Sequence, residues 1–413
     1  MMRIAFFTHY FPPEGNAPAS RTYEHCVRWV RAGHDVTVIT GVPNVPNGIV
    51  YEGYRNRIWP QKENIDGINV IRVWTFVAPN AGGLKRILNY VSYMLSAIFA
   101  FVILCRRPAV IVATSPQFFC GWAGLISSYL KWTRFVLEIR DIWPESIVTV
   151  GAMKPGMFVR LLERLERIMY RGANHIVAVG EGYKNNILSK ANVADRISVV
   201  TNGVDPEQFQ PQPSDPEFRQ KLEVENKFVC AYVGTIGMAH GLEITLKAAK
   251  ILKEIGRDDI IFCNVGDGAR RNQLIEQVNH EGLAELVKFP GRFPKSDMPK
   301  VLASSDCLLV HLKGTDLFQT VIPSKIFEAM AMMRPIVMGV RGESADIVRR
   351  SGSGIDIQPD NAEQLAAAVM QLCDDKENYQ NLCQNGRTFV IENFSRDKLA
   401  EDMLNILVTV GSR

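Results

Sequence analysis

The chain has 413 residues, 47% of them hydrophobic and 22% charged, which excludes a disordered, collagen-like or mini-protein reading. Lys and Arg number 47 against 43 Asp and Glu, a net charge of +4, too little for a protein devoted to neutralising a nucleic-acid backbone. The length suits two domains, each with its own core.

Short apolar, β-branched runs open the chain at Arg3–Thr8 and recur at Asp35–Thr40, Ala109–Thr114, Phe135–Ile139, His175–Val179 and Ile197–Thr201, each followed by turn residues and a helical pattern. A second set runs Phe228–Val233, Ile260–Val265, Val287–Phe289, Cys307–His311, Pro335–Met338 and Gly354–Ile357. Strand and helix in alternation predict an α/β chain of two Rossmann-like, doubly wound halves. The Pro-, Gln- and Asp-rich stretch Pro206–Pro216 marks the break. It divides the chain into residues 1–205, residues 206–393 and a last helical segment, 394–413, that either caps the second domain or crosses back to the first.

Ile4–Phe7 is too short for the apolar core of a signal peptide, so a cytoplasmic protein is expected. Ile87–Cys105 carries no charge and spans about 28 Å if helical, so a buried packing helix, an interfacial helix and a membrane span all remain open. Asn89, Ser92 and Ser96 gather small polar groups on one face of it. Met157–Tyr170 is amphipathic, with Phe158, Leu161, Leu162, Leu165, Ile168 and Met169 opposite Arg160, Glu163, Arg164, Glu166 and Arg167, and reads as packing or as membrane-surface contact. The eight cysteines lie apart in mainly apolar runs without metal-like spacing and read as reduced core residues.

Two glycine turns follow strands in the second half. Gly234-Thr235-Ile236-Gly237-Met238-Ala239-His240-Gly241 precedes a helix from Leu242, and Gly266-Asp267-Gly268-Ala269-Arg270-Arg271 ends the next strand. Such turns either bring backbone N–H groups to a phosphate or merely reverse the chain. Neither is a dinucleotide or nucleoside-triphosphate fingerprint. Pro323-Ser324 opens a helix with N–H groups at Ser324, Lys325 and Ile326 facing an anion beside the Lys325 ammonium. Glu328, one turn in, is placed to accept from paired sugar hydroxyls, although Ser and Glu at a helix start also make an ordinary cap.

The order of these turns, followed by Phe289-Pro290-Gly291-Arg292, Leu302-Ala303-Ser304-Ser305-Asp306-Cys307 and Pro323-Ser324-Lys325-Ile326-Phe327-Glu328-Ala329-Met330-Ala331, resembles the C-terminal half of retaining glycosyltransferases of family 4. Pro12-Pro13-Glu14-Gly15-Asn16, Leu137-Glu138-Ile139-Arg140-Asp141-Ile142-Trp143-Pro144-Glu145 and Thr201-Asn202-Gly203-Val204-Asp205 extend the likeness to the N-terminal half. It is similar to the bacterial surface-polysaccharide branch, such as N-acetyl-L-fucosamine transferases.

The resemblance implies two facing Rossmann-like domains of the GT-B type and retaining transfer from a UDP-sugar to a lipid-linked saccharide, a polyprenyl diphosphate at the inner-membrane surface. It implies a donor set of Gly234, Thr235, His240, Gly266, Gly268, Arg270, Arg292, Ser324, Lys325 and Glu328. Gly15 and Asn16 form an acceptor-side loop, and Arg140, Asp141 and Lys325 are the catalytic candidates. Three departures stand out: Thr320 occupies the place of the family's first glutamate, His240 that of a lysine, and Arg140 that of a frequent histidine. Arg140 either stabilises charge or pairs with Asp141 or Glu145. With no Asp-x-Asp, neither metal nor another cofactor is expected, nor is nucleic acid a partner. A nucleotide-sugar 2-epimerase and a silent nucleotide-sugar-binding subunit are the alternatives.

Overall fold

Strands that are apolar at nearly every position need cover on both faces, and a parallel sheet wrapped by crossover helices provides it. The computed structural model describes all residues except 46, 79–82, 116, 146–155, 315–321 and 413, so Thr320 lies outside the described residues. It divides into two compact units, Met1–Thr201 with Leu399–Arg413, and Asn202–Lys398.

The first unit contains β1 (Arg3–Phe7), α1 (Ala17–Arg31), β2 (Asp35–Gly41), β3 (Gln61–Ile65), β4 (Ile68–Val73), α2 (Gly83–Leu104), β5 (Val110–Thr114), α3 (Phe118–Lys131), β6 (Arg134–Ile139), α4 (Met157–Gly172), β7 (His175–Ala178), α5 (Glu181–Lys190) and β8 (Ile197–Val199). Its eight strands lie in the order β3-β4-β2-β1-β5-β6-β7-β8, parallel except for β3 against β4. That antiparallel pair was not foreseen. Its turn is Asp66-Gly67, both at positive φ (50° and 84°), as a two-residue hairpin requires.

The second unit contains α6 (Pro216–Lys221), β9 (Phe228–Val233), α7 (Glu243–Glu254), β10 (Ile260–Val265), α8 (Arg271–His280), β11 (Val287–Gly291), α9 (Met298–Ala303), β12 (Cys307–His311), α10 (Lys325–Ala331), β13 (Ile336–Gly339), α11 (Glu343–Ser351), β14 (Gly354–Asp356), α12 (Ala362–Asp374) and α13 (Lys376–Phe394); α14 (Arg396–Gly411) follows. Six parallel strands take the order β11-β10-β9-β12-β13-β14.

Residues 202–205, which the sequence reading gave to the first domain, belong to the second unit. The Val204 N–H donates to the Phe394 carbonyl, and the Val204 carbonyl accepts from Arg396. Most of α14 belongs to the first unit: Leu399, Met403, Leu407 and Val410 join the core on the α1 side of the sheet, and the Trp29 indole donates to the Ala400 carbonyl at 2.9 Å.

All of the apolar Ile87–Cys105 segment but its last residue lies in α2, with one face in the core. Tyr93, Ala97, Ala100 and Phe101 are buried, while Leu95, Phe99, Val102 and Ile103 are 59%, 46%, 44% and 51% exposed. Two residues of the predicted polar face bond locally: Asn89 donates to the Phe76 carbonyl and Ser92 accepts from the Phe76 N–H. Six of the eight cysteines are buried, and all are free thiols.

Candidate functional site

In an open parallel sheet the crevice forms where strand order reverses, beyond the strands' carboxyl ends. In the second unit the reversal falls between β9 and β12. The loop after β9 and the segment leading into α10 therefore meet there.

The loop after β9 is locked to the one after β10 by backbone. Gly234 donates to Val265 and Ile236 to Asp267, both at 2.9 Å, and Arg270 N–H donates to the Ile236 carbonyl at 3.1 Å. Gly266 donates to Gly291, and Gly268 to the Asp267 carboxylate. A Cβ on Gly266 would lie 1.8 Å from the Gly234 carbonyl oxygen, and one on Gly268 would lie 2.4 Å from that of Ile236. These glycines permit close backbone approach; their N–H groups are already engaged, contrary to the expectation that they await a phosphate. Among the described residues, the Thr235 and Gly237 amides have no such partner.

Beside this ladder lies a cleft of about 350 Å³ lined by Gly234, Thr235, Gly266, Asp267, Arg292 and Phe293. Arg292 is exposed and makes no ion pair among the described residues. Arg270, by contrast, is committed to Glu243 and Gln273, so it is not the free cation the sequence suggested. Arg271 donates to the Phe289 carbonyl at 3.0 Å.

The cation that does face the loop is Lys325. Its Nζ sits 4.0 Å from the centre of the Tyr232 ring and 3.0 Å from where a Cβ on Gly234 would be, with no ion pair among the described residues. Burial pulls its pKa from 10.5 down to about 8, against the pull of Glu328. Tyr232 is fixed in turn, its hydroxyl donating to the Thr235 carbonyl at 2.7 Å. The Ile326 amide is occupied by the Pro323 carbonyl at 3.2 Å, which corrects its assignment as a free donor, and the exposed Ser324 makes no side-chain cap bond.

Glu328 is half-buried, and its carboxylate makes no hydrogen bond among the described residues. Burial raises its pKa, while Arg396, Lys295 and Lys325 act in the opposite sense. An acceptor-only group held among cations without a donor suits hydroxyl recognition.

His240 packs on Tyr232, ring centres 5.9 Å apart, with Nδ1 buried and unpartnered. Burial and then Lys325 hold its pKa below the usual value, so Lys325 carries the positive charge here. Its backbone is pinned by His311, which the sequence reading took only as a strand residue. His311 Nδ1 donates to the His240 carbonyl at 2.7 Å, while Nε2 accepts from the Asp360 amide at 2.9 Å. Each of those bonds requires the same tautomer, protonated at Nδ1.

In the first unit the reversal is at β1, between β2 and β5. Gly15 there is exposed, with open space around it. Asn16 instead caps α1, accepting from the Ala19 amide at 2.9 Å, which corrects its reading as a contact residue. Glu14 is buried and accepts from the Asn44 and Val45 amides.

Among the described residues Arg140, just past the end of β6, makes no ion pair with Asp141 or Glu145, and the opposite charge that acts most on it is Glu138. Burial lowers its pKa to about 10 against Glu138, and its Nε and Nη1 lack hydrogen bonds. Glu138 is bound by Arg21 at 3.0 Å, and Arg21 also donates to the Val200 and Thr201 carbonyls. The Asp141 amide donates to Ser115 Oγ at 3.2 Å. Among the described residues, no group of three His, Cys, Asp or Glu side chains is placed to hold a metal ion.

Residues 16–203 match the family model described as a glycosyl transferase 4-like domain, and residues 214–389 match that for glycosyl transferases group 1. The chain is a glycosyltransferase. It is 26% identical over 90% of its length, and 92% of the relative's, to a glycosyl transferase of Escherichia coli K12 named for colanic acid biosynthesis, WcaI. It is 24% identical over 48% of its length, and 47% of the relative's, to the amylovoran biosynthesis glycosyltransferase AmsK of Erwinia amylovora. Anabaena HepE in complex with UDP superposes over 99% of this chain and 100% of its own, with TM-score 0.69 at 17% identity. Sucrose-phosphate synthase of Thermosynechococcus elongatus does so over 100% of both chains, with TM-score 0.75 at 15% identity. The fold of this glycosyltransferase is thus the two-Rossmann GT-B architecture.

Proposed function

We propose that this glycosyltransferase moves a sugar, with retention, from a UDP-sugar to a lipid-linked saccharide in surface-polysaccharide assembly. The observation that carries the donor half is the Lys325 ammonium, set against the Tyr232 ring at the Gly234 turn and in no ion pair among the described residues. A diphosphate there would satisfy that charge, together with the Thr235 and Gly237 amides and Arg292. As the glycosidic bond breaks, negative charge grows on the leaving diphosphate, and a fixed cation in a partly dry site stabilises it electrostatically. Glu328 receives the ribose hydroxyls. Charge stabilisation by Lys325 and backbone amides makes the reaction independent of divalent metal, and HepE, which binds UDP, supports the choice of nucleotide.

An acceptor anchored in the membrane is supported by the outer surface of the first unit. On α4, Met157, Phe158, Leu161 and Ile168 are exposed beside a stripe of Arg160, Arg164, Arg167 and Arg171, the pattern of a helix lying in an anionic interface. The exposed residues of α2 add apolar area. The protein therefore works at the cytoplasmic face of the inner membrane, docked peripherally. The likeness to the surface-polysaccharide branch supports an amino sugar, N-acetyl-L-fucosamine or a relative, as the unit transferred.

The test is a mass-spectrometric screen of UDP-sugars against membrane-extracted polyprenyl-diphosphate saccharides. An acceptor heavier by one sugar, with UDP released, is expected. A free sugar epimer without acceptor, or UDP binding without turnover on any acceptor, refutes the proposal.

A further inference from the structure

The first unit holds a second cavity that none of this chemistry uses. It measures about 350 Å³ and lies at the amino ends of β1 and β2, against the carboxyl end of α2. The residues after β1 and β2 at the other edge of the sheet are about 16 Å away along the strands.

Its charge is unbalanced. Arg3, Lys62 and Arg106 line it, each exposed and each without an ion pair or hydrogen bond from its side chain among the described residues. Two carboxylates also line it, of which only one is paired with a cation. Glu63 is bound by the buried Arg72 at 2.6 Å, and Asp35 accepts from the Asn69 amide at 3.0 Å. With Glu63 neutralised by Arg72, three cations stand against the single charge of Asp35 on a concave wall, and the excess makes a positive potential there. Leu104 and Pro108 make part of that wall apolar, and Ile103, 51% exposed, stands next to Leu104 at the end of the strip that runs from Leu95 through Phe99.

We infer that this cavity binds the phosphate group of an amphiphilic or sugar-bearing ligand through Arg3, Lys62 and Arg106, separately from the donor site. The volume exceeds that of phosphate alone and leaves room for the group it esterifies. Two sources share this chemistry: the headgroup of a membrane phospholipid, whose chains would follow the α2 strip, and a free phosphorylated solute.

The test titrates the full chain with inorganic phosphate and, separately, with phosphatidylglycerol vesicles, comparing wild type with Lys62→Ala/Arg106→Ala and with Arg31→Ala on α1 as control. Each lost cation should weaken phosphate binding about fivefold. The double variant should therefore bind roughly 25-fold more weakly, while its melting temperature and UDP binding stay unchanged and the control behaves as wild type. If the double variant loses the vesicles too, the ligand is a lipid headgroup; if it keeps them, the cavity serves a free phosphorylated solute. Wild type that binds no phosphate, or a double variant that binds it as wild type does, overturns the inference.

Discussion

Replacing Lys325 by Met should make the protein more stable and the donor site useless. In the folded chain the ammonium's pKa has fallen from 10.5 to about 8, so burying the charge costs about 3 kcal/mol near neutral pH. Met removes that cost and keeps most of the packing. It also gives up the contact with the Tyr232 ring, worth about 1 kcal/mol. The net gain is about 2 kcal/mol, or about 4–8 °C in the melting temperature of the unit that holds it. The sign has a pH signature. Between pH 8 and 10.5 the unfolded chain keeps its proton on Lys325 while the folded chain releases it, so wild-type stability rises across that window relative to the Met variant. The loss of a charge-assisted contact to diphosphate should meanwhile raise the Kd for UDP by roughly 10–150-fold. Wild-type affinity for UDP should decline as pH rises past about 8, where the ammonium is lost. Differential scanning calorimetry and calorimetric titration with UDP read both effects. A Met variant that melts lower than wild type, or binds UDP equally well, refutes the assignment of Lys325 as a cation awaiting an anion.

Four further outcomes are expected. Glu328→Ala should weaken UDP binding by about 1–3 kcal/mol while the melting temperature does not fall, because the carboxylate makes no hydrogen bond among the described residues and the cost of its burial outweighs the pull of Arg396, Lys295 and Lys325. Arg292→Ala should weaken UDP binding more than Arg270→Ala, whose guanidinium is tied to Glu243; titrations of the two variants decide the order. Glu138→Gln should cost about 3–5 kcal/mol in denaturant unfolding by stranding Arg21 and Arg140, although burial itself disfavours the charge. Because Glu138 titrates at about 2 when folded, its contribution holds above the usual carboxylate range and fades as pH falls from 4.5 towards 2. Leu95→Ser with Phe99→Ser and Ile103→Ser should release the protein from vesicles without unfolding it, as circular dichroism and flotation would show; Phe101, wholly buried, is unsuited to that test.

Both sheets were largely legible because buried parallel strands are written as continuous β-branched runs, and Phe228–Val233, Ile260–Val265 and Cys307–His311 fall where expected. The hairpin β3–β4 escaped although Asp66-Gly67 announces a turn, because β3, Gln-Lys-Glu-Asn-Ile, is a polar edge strand with no apolar run. The site was readable as a set of motifs but not as contacts. Gly266 and Gly268 exist for the carbonyls of Gly234 and Ile236, a closeness between loops about 30 residues apart that spacing does not reveal. Arg270 looked free because Glu243, its partner, sits one crossover earlier. The service of Tyr232 and His311 to Lys325 and His240 depends on three elements converging at the strand-order reversal.

The most direct measurement on the central claim is the anomeric configuration of the product, read by proton NMR after transfer from an α-linked UDP-sugar to a polyprenyl-diphosphate saccharide with excess EDTA present. The account predicts an α-linked product formed at the chelator-free rate. A β-linked product, or turnover that stops with EDTA and returns with Mg²⁺, would contradict it.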